Sequence, residues 1–455
     1  MSQSEIDIAI IGCGIIGAIL ALGLIKSNEA QPRAKLNIKV YEQAASPREY
    51  GAGIGFTATA RKCMTLMDER IADCVGVVAT LNGEPENPDY SMRFVDGFRT
   101  FPTPQHEGYG GHSQTAEDIE EDVSIHGKVY KLYVGPRGFE GCHRAQFLAE
   151  VMKLMPEGIA QFKKRVEGFE YLETGRVRLD FADGEQKECD IVIACDGIRS
   201  RMRELLFTPA YNAQYTHQLA FRGLVPMDAA IQRLSRYRAL RQHMQCGPNA
   251  HIMHFPVAGQ KLMNVVAFVQ DPNEWSSTGM TTPAQKSEVV EAFREWGPFV
   301  RALIDLLPEN LDKWAVFDTY DCPIPRYVEH RVALAGDAAH ASSPHHGAGA
   351  GMGVEDALAL VAALTRARVD VDRGVAVGRT LEAALKAYSK VRYGRSQWLV
   401  RSSRQLGWTF EWMNPDTGAE MDRAFVDIRD RSHQVWHFDV EGMVAEVERE
   451  YRQML

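Results

Sequence analysis

The chain has 455 residues, 45% of them hydrophobic and 24% charged, which suits one large or two ordinary soluble globular domains with a substantial core. A net charge of −9 argues against general electrostatic attraction to nucleic acid or to an anionic membrane. Its eight cysteines are scattered without CxxC or metal-ligand spacing, several within apolar runs, so they read as buried thiols and a cytoplasmic location is expected.

In chain order, Ile6–Ile11 reads as a buried strand, Gly12–Gly17 as a turn and Gly17–Lys26 as a helix. Ile8 to Ile25 is uncharged and reaches the roughly 18 residues of a membrane-spanning helix. Its glycines and β-branched start favour a buried strand–turn–helix instead, and no basic segment precedes it as in a signal peptide. No other stretch resembles a transmembrane helix. Asn37–Tyr41 is a second strand ending in Glu42, completing a βαβ unit. Gly51–Gly55 leads into a helix near Thr57. Residues 83–127 are polar, rich in Pro and Gly, with an acidic cluster from Glu117 to Asp122; they read as a long excursion outside the core, the acidic run as a solvated face. Phe139–Met155 looks helical. Val166–Leu172 and Val177–Phe181 read as antiparallel strands, Asp183-Gly184 as a turn and Cys189–Ala194 as another buried strand. Leu219–Val225, His251–Val257 and Asn264–Val269, with a helix near Ala284–Trp296, break the βαβ rhythm and predict a separate sheet. Beyond residue 356 the chain is mainly helical.

Three segments carry chemistry. Gly12, Gly14 and Gly17 form GxGxxG between a strand and a helix. The first makes the turn, the second admits a pyrophosphate and the third permits close helix–strand packing, while Glu42 can accept from a ribose hydroxyl. This pattern indicates a dinucleotide but does not separate NAD from FAD. Next comes Cys195-Asp196-Gly197-Ile198-Arg199-Ser200-Arg201 after a strand, which an ordinary helix cap with solvated arginines would also explain. The third is Gly336–Asp356, GDAAHASSPHHGAGAGMGVED, where five glycines let the backbone approach a ligand and the following helix offers free N–H groups. Its His340, His345 and His346 invite a metal or general-base reading. No carboxylate or cysteine stands at helpful spacing, so no metal is expected, and a pocket-lining or hydrogen-bonding role is preferred; substrate deprotonation by a histidine stays open.

In this order and spacing, the three segments resemble the single-component flavoprotein aromatic hydroxylases, of which salicylate hydroxylase and 4-hydroxybenzoate hydroxylase are familiar members. GFEGCHRAQFL (138–148) is also similar to the family's helix whose arginine contacts the flavin. The resemblance implies an α/β fold: a Rossmann-like FAD-binding domain, a second, sheet-based substrate domain and a helical C-terminal region. The expected divisions are 1–205 and 317–400 for the cofactor domain, with the excursion at about 83–127, then 206–316 for the substrate domain and 401–455 for the helical region. Gly12, Gly14, Gly17, Glu42 and Gly55, with Arg144 and Asp196, are implied to bind FAD. Asp337 would meet the ribityl chain or pyrophosphate, and backbone amides of Gly347, Ala348, Gly349, Ala350 and Gly351 the flavin N1/O2 edge. Pro344 would lie beside the flavin C4a. NADPH or NADH would dock transiently, with O2 as co-substrate.

LAFRGLV (219–225), GPNAHIMHFPV (247–257), DPNEW (271–275), FDTYD (317–321) and DRSHQVWHFD (430–439) resemble, more narrowly, fungal polyketide-pathway monooxygenases. Those enzymes dearomatise resorcinol-type aldehydes en route to azaphilones, tropolones and sorbicillinoids, through a flavin C4a-hydroperoxide. Arg222 matches an arginine that holds the substrate phenolate. Phe255 stands where some members carry a hydrogen-bonding tyrosine, which leaves Tyr130 and Tyr133 as candidate replacements and His345 as a further pocket residue. Two other functions fit the same resemblance: ring or decarboxylative hydroxylation of a salicylate-like acid, and a non-catalytic FAD-fold escort protein. The partners implied are a phenolic small molecule, O2 and NAD(P)H.

Overall fold

The computed structural model describes residues 5–29, 34–46, 53–81, 92–100, 127–134 and 140–455. The acidic cluster Glu117–Asp122 and most of the polar excursion lie outside them.

The cofactor half is built on a six-stranded sheet. Its strands, in spatial order, are Val328–Glu329, Val332–Leu334, Ile191–Ala194, Glu5–Ile11, Lys35–Glu42 and Ala160–Phe162, parallel except for the first pair. Continuous apolar runs form these strands because helices cover the sheet. Ile15–Ser27 and Gly349–Asp372 are packed against each other, and Leu20, Leu24, Leu360 and Leu364 are among the residues sealed in one core. The uncharged stretch Ile8–Ile25 is thus split between a strand and a buried helix, and among the described residues no helix is long and apolar enough to cross a membrane.

The second half is an eight-stranded sheet in the order Thr281–Gln285, Asn310–Asp318, Gln214–Pro226, Leu262–Gln270, Ala250–Val257, Gln242–Gly247, Met92–Asp96 and Tyr130–Leu132. Side chains alternate across it. Leu219, Phe221, Ile252, Val265 and Ala267 face helices Met227–Leu234 and Pro298–Asp305 in one core. Arg222, Met244, His251, Met253, Phe255, Asn264 and Phe268 share the opposite face and line a hollow toward the cofactor half. Helix Val377–Phe410 joins the halves: Leu381, Leu385 and Tyr388 belong to the first core, while Leu406 and Phe410 pack with Phe94 and Met244 of the second sheet.

Several expectations are corrected. Met92–Asp96, placed in the excursion outside the core, is a strand whose Phe94 and Val95 are buried; it pairs in parallel with Gln242–Gly247. Tyr130–Leu132, assigned to the cofactor domain, extends the substrate sheet. The helix expected over Phe139–Met155 is a strand, Glu140–His143, followed by a helix, Arg144–Lys153, and Phe139 lies outside the described residues. Cys189–Ala194 divides at Asp190 into the end of an antiparallel strand, Gln186–Cys189, and the parallel strand Ile191–Ala194. The helix expected near Ala284–Trp296 begins at Lys286, after the strand Thr281–Gln285. The division at residue 400 falls inside helix Val377–Phe410.

Candidate active site

The glycine turn after the first strand is dictated by contact. Gly12 has φ +96°, and a Cβ there would sit 2.5 Å from the Cys195 carbonyl oxygen. A Cβ on Gly17 would come within 2.0 Å of the Gly12 carbonyl oxygen, so only hydrogen fits between helix and turn. Glu42 accepts from the backbone N–H of Cys13 at 2.8 Å and of Ala44 at 2.8 Å. Its carboxylate therefore closes the turn while facing a hollow of about 220 Å³ lined also by Gly12, Gly14, Asp196, Arg199 and Arg144.

The cap reading of the Cys195–Arg201 segment is correct as far as it goes. Asp196 accepts from the N–H of Met202 at 3.1 Å and Ser200 from that of Arg203 at 2.9 Å, starting helix Arg201–Leu206. Burial pushes the Asp196 carboxyl up, against the hydrogen bonds from Ser200 and Met202 that pull it down. Arg203, fully buried, then reaches across: its guanidinium donates to the carbonyls of Asp337 and Ala338, both at 3.1 Å, and of Ile198. One arginine thus staples the second motif to the third.

The third motif is tied down by its own end. Asp356 accepts from the Gly336 N–H at 2.9 Å, from His340 Nε2 and from Arg392 Nε at 2.8 Å, all buried. Burial raises the Asp356 carboxyl, but His340 and Arg392 overcome it and hold it below the usual range. Glu355 receives Arg392 and Arg395 beside it. His346 bonds Ser402 at 2.9 Å, and burial holds it down to about 3, helped by Arg431. His345 bonds Ser343 at 3.0 Å, and burial, with His251 and His346 nearby, pushes it well below its ordinary value. The three histidines are held by three different partners rather than converging on one point.

Between these segments and the second sheet lies a cavity of about 310 Å³, within the range of small-ligand sites. Gly55, Arg144, Asp337, Pro344, Gly347, Ala348, Gly349 and Ala350 line one side, with His345, and Arg222 and Phe255 the other. Gly14, Arg144, Cys195 and Gly197 border both hollows, so the two form one elongated groove. Gly347 adopts the left-handed conformation, φ +61°, and Ala348 then caps the 24-residue helix Gly349–Asp372. No acidic side chain occupies its first turn, so its free N–H groups are available to an anion. Gly351 sits in that turn but faces Ala60 rather than the cavity.

Two expected residues do not reach the cavity. Tyr130 donates to Asp422 at 2.8 Å and packs on Phe425, whereas Tyr133 stacks on His437 at 5.5 Å. Because Tyr130 lies on an edge strand beside helix Met421–Trp436, its side chain is drawn to that helix and cannot replace a tyrosine at Phe255.

Arg222 is half-buried, its guanidinium over the Trp314 ring at 4.7 Å, and has no carboxylate partner among the described residues. Burial alone depresses its pKa. Two strands away, His251 stacks on Phe268 at 4.4 Å and 10°, its Nδ1 bonded to Glu411 at 3.0 Å. His251 lines the cavity, and its Nε2 is buried with no hydrogen-bond partner among the described residues. His251 was not among the sequence-predicted site residues; the strand's two-residue period, shared with Phe255, is the signal that finds it.

A family profile described as "FAD binding domain" matches residues 145–403. The FAD-dependent monooxygenase pigN of Monascus ruber is 43% identical over 459 residues, covering 100% of this chain and 98% of that protein. The chain is an FAD-dependent monooxygenase. Salicylate hydroxylase asL1 of Sarocladium schorii is 41% identical over 465 residues, 99% of this chain and 92% of its own length. A solved salicylate hydroxylase substrate complex has a TM-score of 0.80 and 28% identity, covering 98% of each chain. In this monooxygenase the elongated groove, the contact-limited glycines and the uncluttered helix N-terminus fit FAD: one hollow suits the adenosine half and the other the flavin.

Proposed function

We propose that the monooxygenase hydroxylates a phenolate held by Arg222, and that its substrate is a polyketide-derived resorcinol aldehyde that loses aromaticity in the reaction. The observation that carries this reading is the Arg222 guanidinium, desolvated at the cavity wall with no carboxylate among the described residues to neutralise it. Such a charge stabilises the ionised form of a phenol and fixes the ring's orientation. His251, which lines the same cavity and whose Nε2 has no partner among the described residues, accepts the phenol proton. His345 is displaced from that role, since burial keeps its ring neutral and poorly basic.

Met92, Met244, Met253, Phe255 and Val266 make the rest of the wall apolar, and methionines yield to irregular alkyl or acyl substituents. FAD, reduced by NAD(P)H, supplies the activated oxygen when bound. Gly12, Gly14, Gly17, Glu42, Arg144 and Asp196 would hold its ADP half, and Gly55, Asp337 and the amides of residues 347–350 its flavin half. Pro344 lines the same wall. Where the attacked carbon bears an alkyl group, the ring cannot regain aromaticity and a hydroxylated dienone results.

The salicylate hydroxylase name of one relative favours a second reading, in which Arg222 receives a carboxylate. NAD(P)H consumption and product mass, compared between a methylated resorcinol aldehyde and salicylate, test the choice. One added oxygen with loss of aromatic absorbance is expected from the aldehyde. Catechol from salicylate, with no dearomatised product from the aldehyde, overturns the proposal.

A further inference from the structure

Glu411 is a buried carboxylate at the C-terminal end of helix Val377–Phe410, 1% exposed and outside the three motifs that carry the cofactor reading. Its side chain meets the cavity-facing side of the substrate sheet. Oε1 accepts from Gln218 Nε2 and from His251 Nδ1, and Oε2 from Gln270 Nε2. The Glu411 carbonyl also accepts from the Asn249 N–H at 3.0 Å, anchoring the hairpin that carries His251. No lysine or arginine pairs with the carboxylate among the described residues, so its charge is met by two amides and one imidazole.

This arrangement has one chemical consequence. Both Glu411 oxygens accept from nitrogen donors, so Nδ1 is the proton-bearing nitrogen of His251. In the neutral ring the lone pair then sits on Nε2, the nitrogen left to receive a proton. Phe268 and Phe410 pack on the ring and hold its plane. The other polar groups facing it do not compete. Cys246 is a buried thiol across the strand pair, pushed up by burial. His345 is kept neutral, and the nearby Arg404 is already bonded to Asp318.

We infer that Glu411 is a positioning residue for proton removal: it fixes the tautomer of His251 and sets a carboxylate against the ring that takes the phenol proton. The inference rests on the proposed phenol hydroxylation. Its test uses the FAD-loaded enzyme, the methylated resorcinol aldehyde and a ring-fluorinated analogue whose phenol is already ionised at the assay pH. Glu411→Gln keeps the shape and an acceptor oxygen but removes the charge. For the un-ionised phenol kcat/KM is expected to fall by about tenfold or more, a part of the roughly 10²–10⁴-fold that a general base supplies. For the ionised analogue it stays near the wild-type value. In a His251→Gln background, Glu411→Gln is expected to add little. Equal losses with both phenols, or additive losses in the double variant, overturn the inference and leave Glu411 as packing.

If Glu411→Gln does not retain FAD, nitrogen NMR of histidine-labelled wild-type holoenzyme decides, with His251→Gln assigning the signal. A protonated Nδ1 and bare Nε2 are expected; the opposite tautomer overturns the inference. Wild-type enzyme that hydroxylates neither phenol counts against the proposed function, whereas hydroxylation with the wrong tautomer counts against Glu411 alone.

Discussion

Replacing Arg222 by methionine separates what this residue does for the fold from what it does for the substrate. The guanidinium is desolvated and paired with no carboxylate among the described residues, and burial is the cause of its depressed pKa. Removing it relieves that desolvation, while the cation–π contact over Trp314, worth about 0.5–2 kcal/mol, is lost. Methionine keeps an apolar stem on the indole. The two effects oppose each other, so the net change in stability is expected within about 1 kcal/mol, a shift of roughly 1 °C in Tm for a chain of 455 residues. Binding has no such offset. A hydrogen bond to a charged group contributes about 1.5–3 kcal/mol, so Kd for the phenolate should rise by about ten- to a hundredfold. Titrating the oxidised holoenzyme with the methylated resorcinol aldehyde, followed by flavin absorbance, reads Kd; a thermal melt reads Tm. Unchanged phenol affinity, or a collapse in Tm with affinity intact, would refute the assignment of Arg222 to the substrate.

Three further outcomes follow from the cofactor half. Gly17→Ala places a methyl against the Gly12 carbonyl and should yield protein purified without flavin absorbance, whereas Gly76→Ala, where nothing lies within 4 Å, should stay yellow. Asp356→Asn leaves Arg392 buried with a weakened partner set, and urea unfolding should show a loss of about 3–5 kcal/mol. His346, held down to about 3 by burial, is neutral in the fold but takes a proton when unfolded. The unfolded state therefore binds more protons as pH falls from the ordinary histidine range toward 3, and stability present above that range is progressively lost. Melts across pH should show this acid slope, and His346→Asn should flatten it; an unchanged slope in the variant removes His346 as the cause.

The glycine turn, Glu42 and the Gly336–Asp356 segment were legible because each is local: spacing along the chain already specifies a turn between strand and helix. Met92–Asp96 was not, since its flanks are polar and its partner Gln242–Gly247 is remote, so nothing in its own composition announces a buried parallel pairing. Tyr130 and Tyr133 were chosen for their hydroxyls, yet the direction of an edge strand's side chains depends on helix Met421–Trp436 packing there. His251 lay within a motif already quoted, but its importance comes from Glu411, brought to it only by tertiary structure.

Helix Val377–Phe410 deserves a mechanical reading. At 34 residues it is a rod of about 50 Å, seated at one end in the dinucleotide core and at the other delivering Glu411 to the cavity-facing side of the substrate sheet. It acts as a gauge block that sets the gap between the glycine-rich wall of the cavity and the sheet. Side chains on one face of the strands can then be exchanged to reshape the cavity with that gap left untouched.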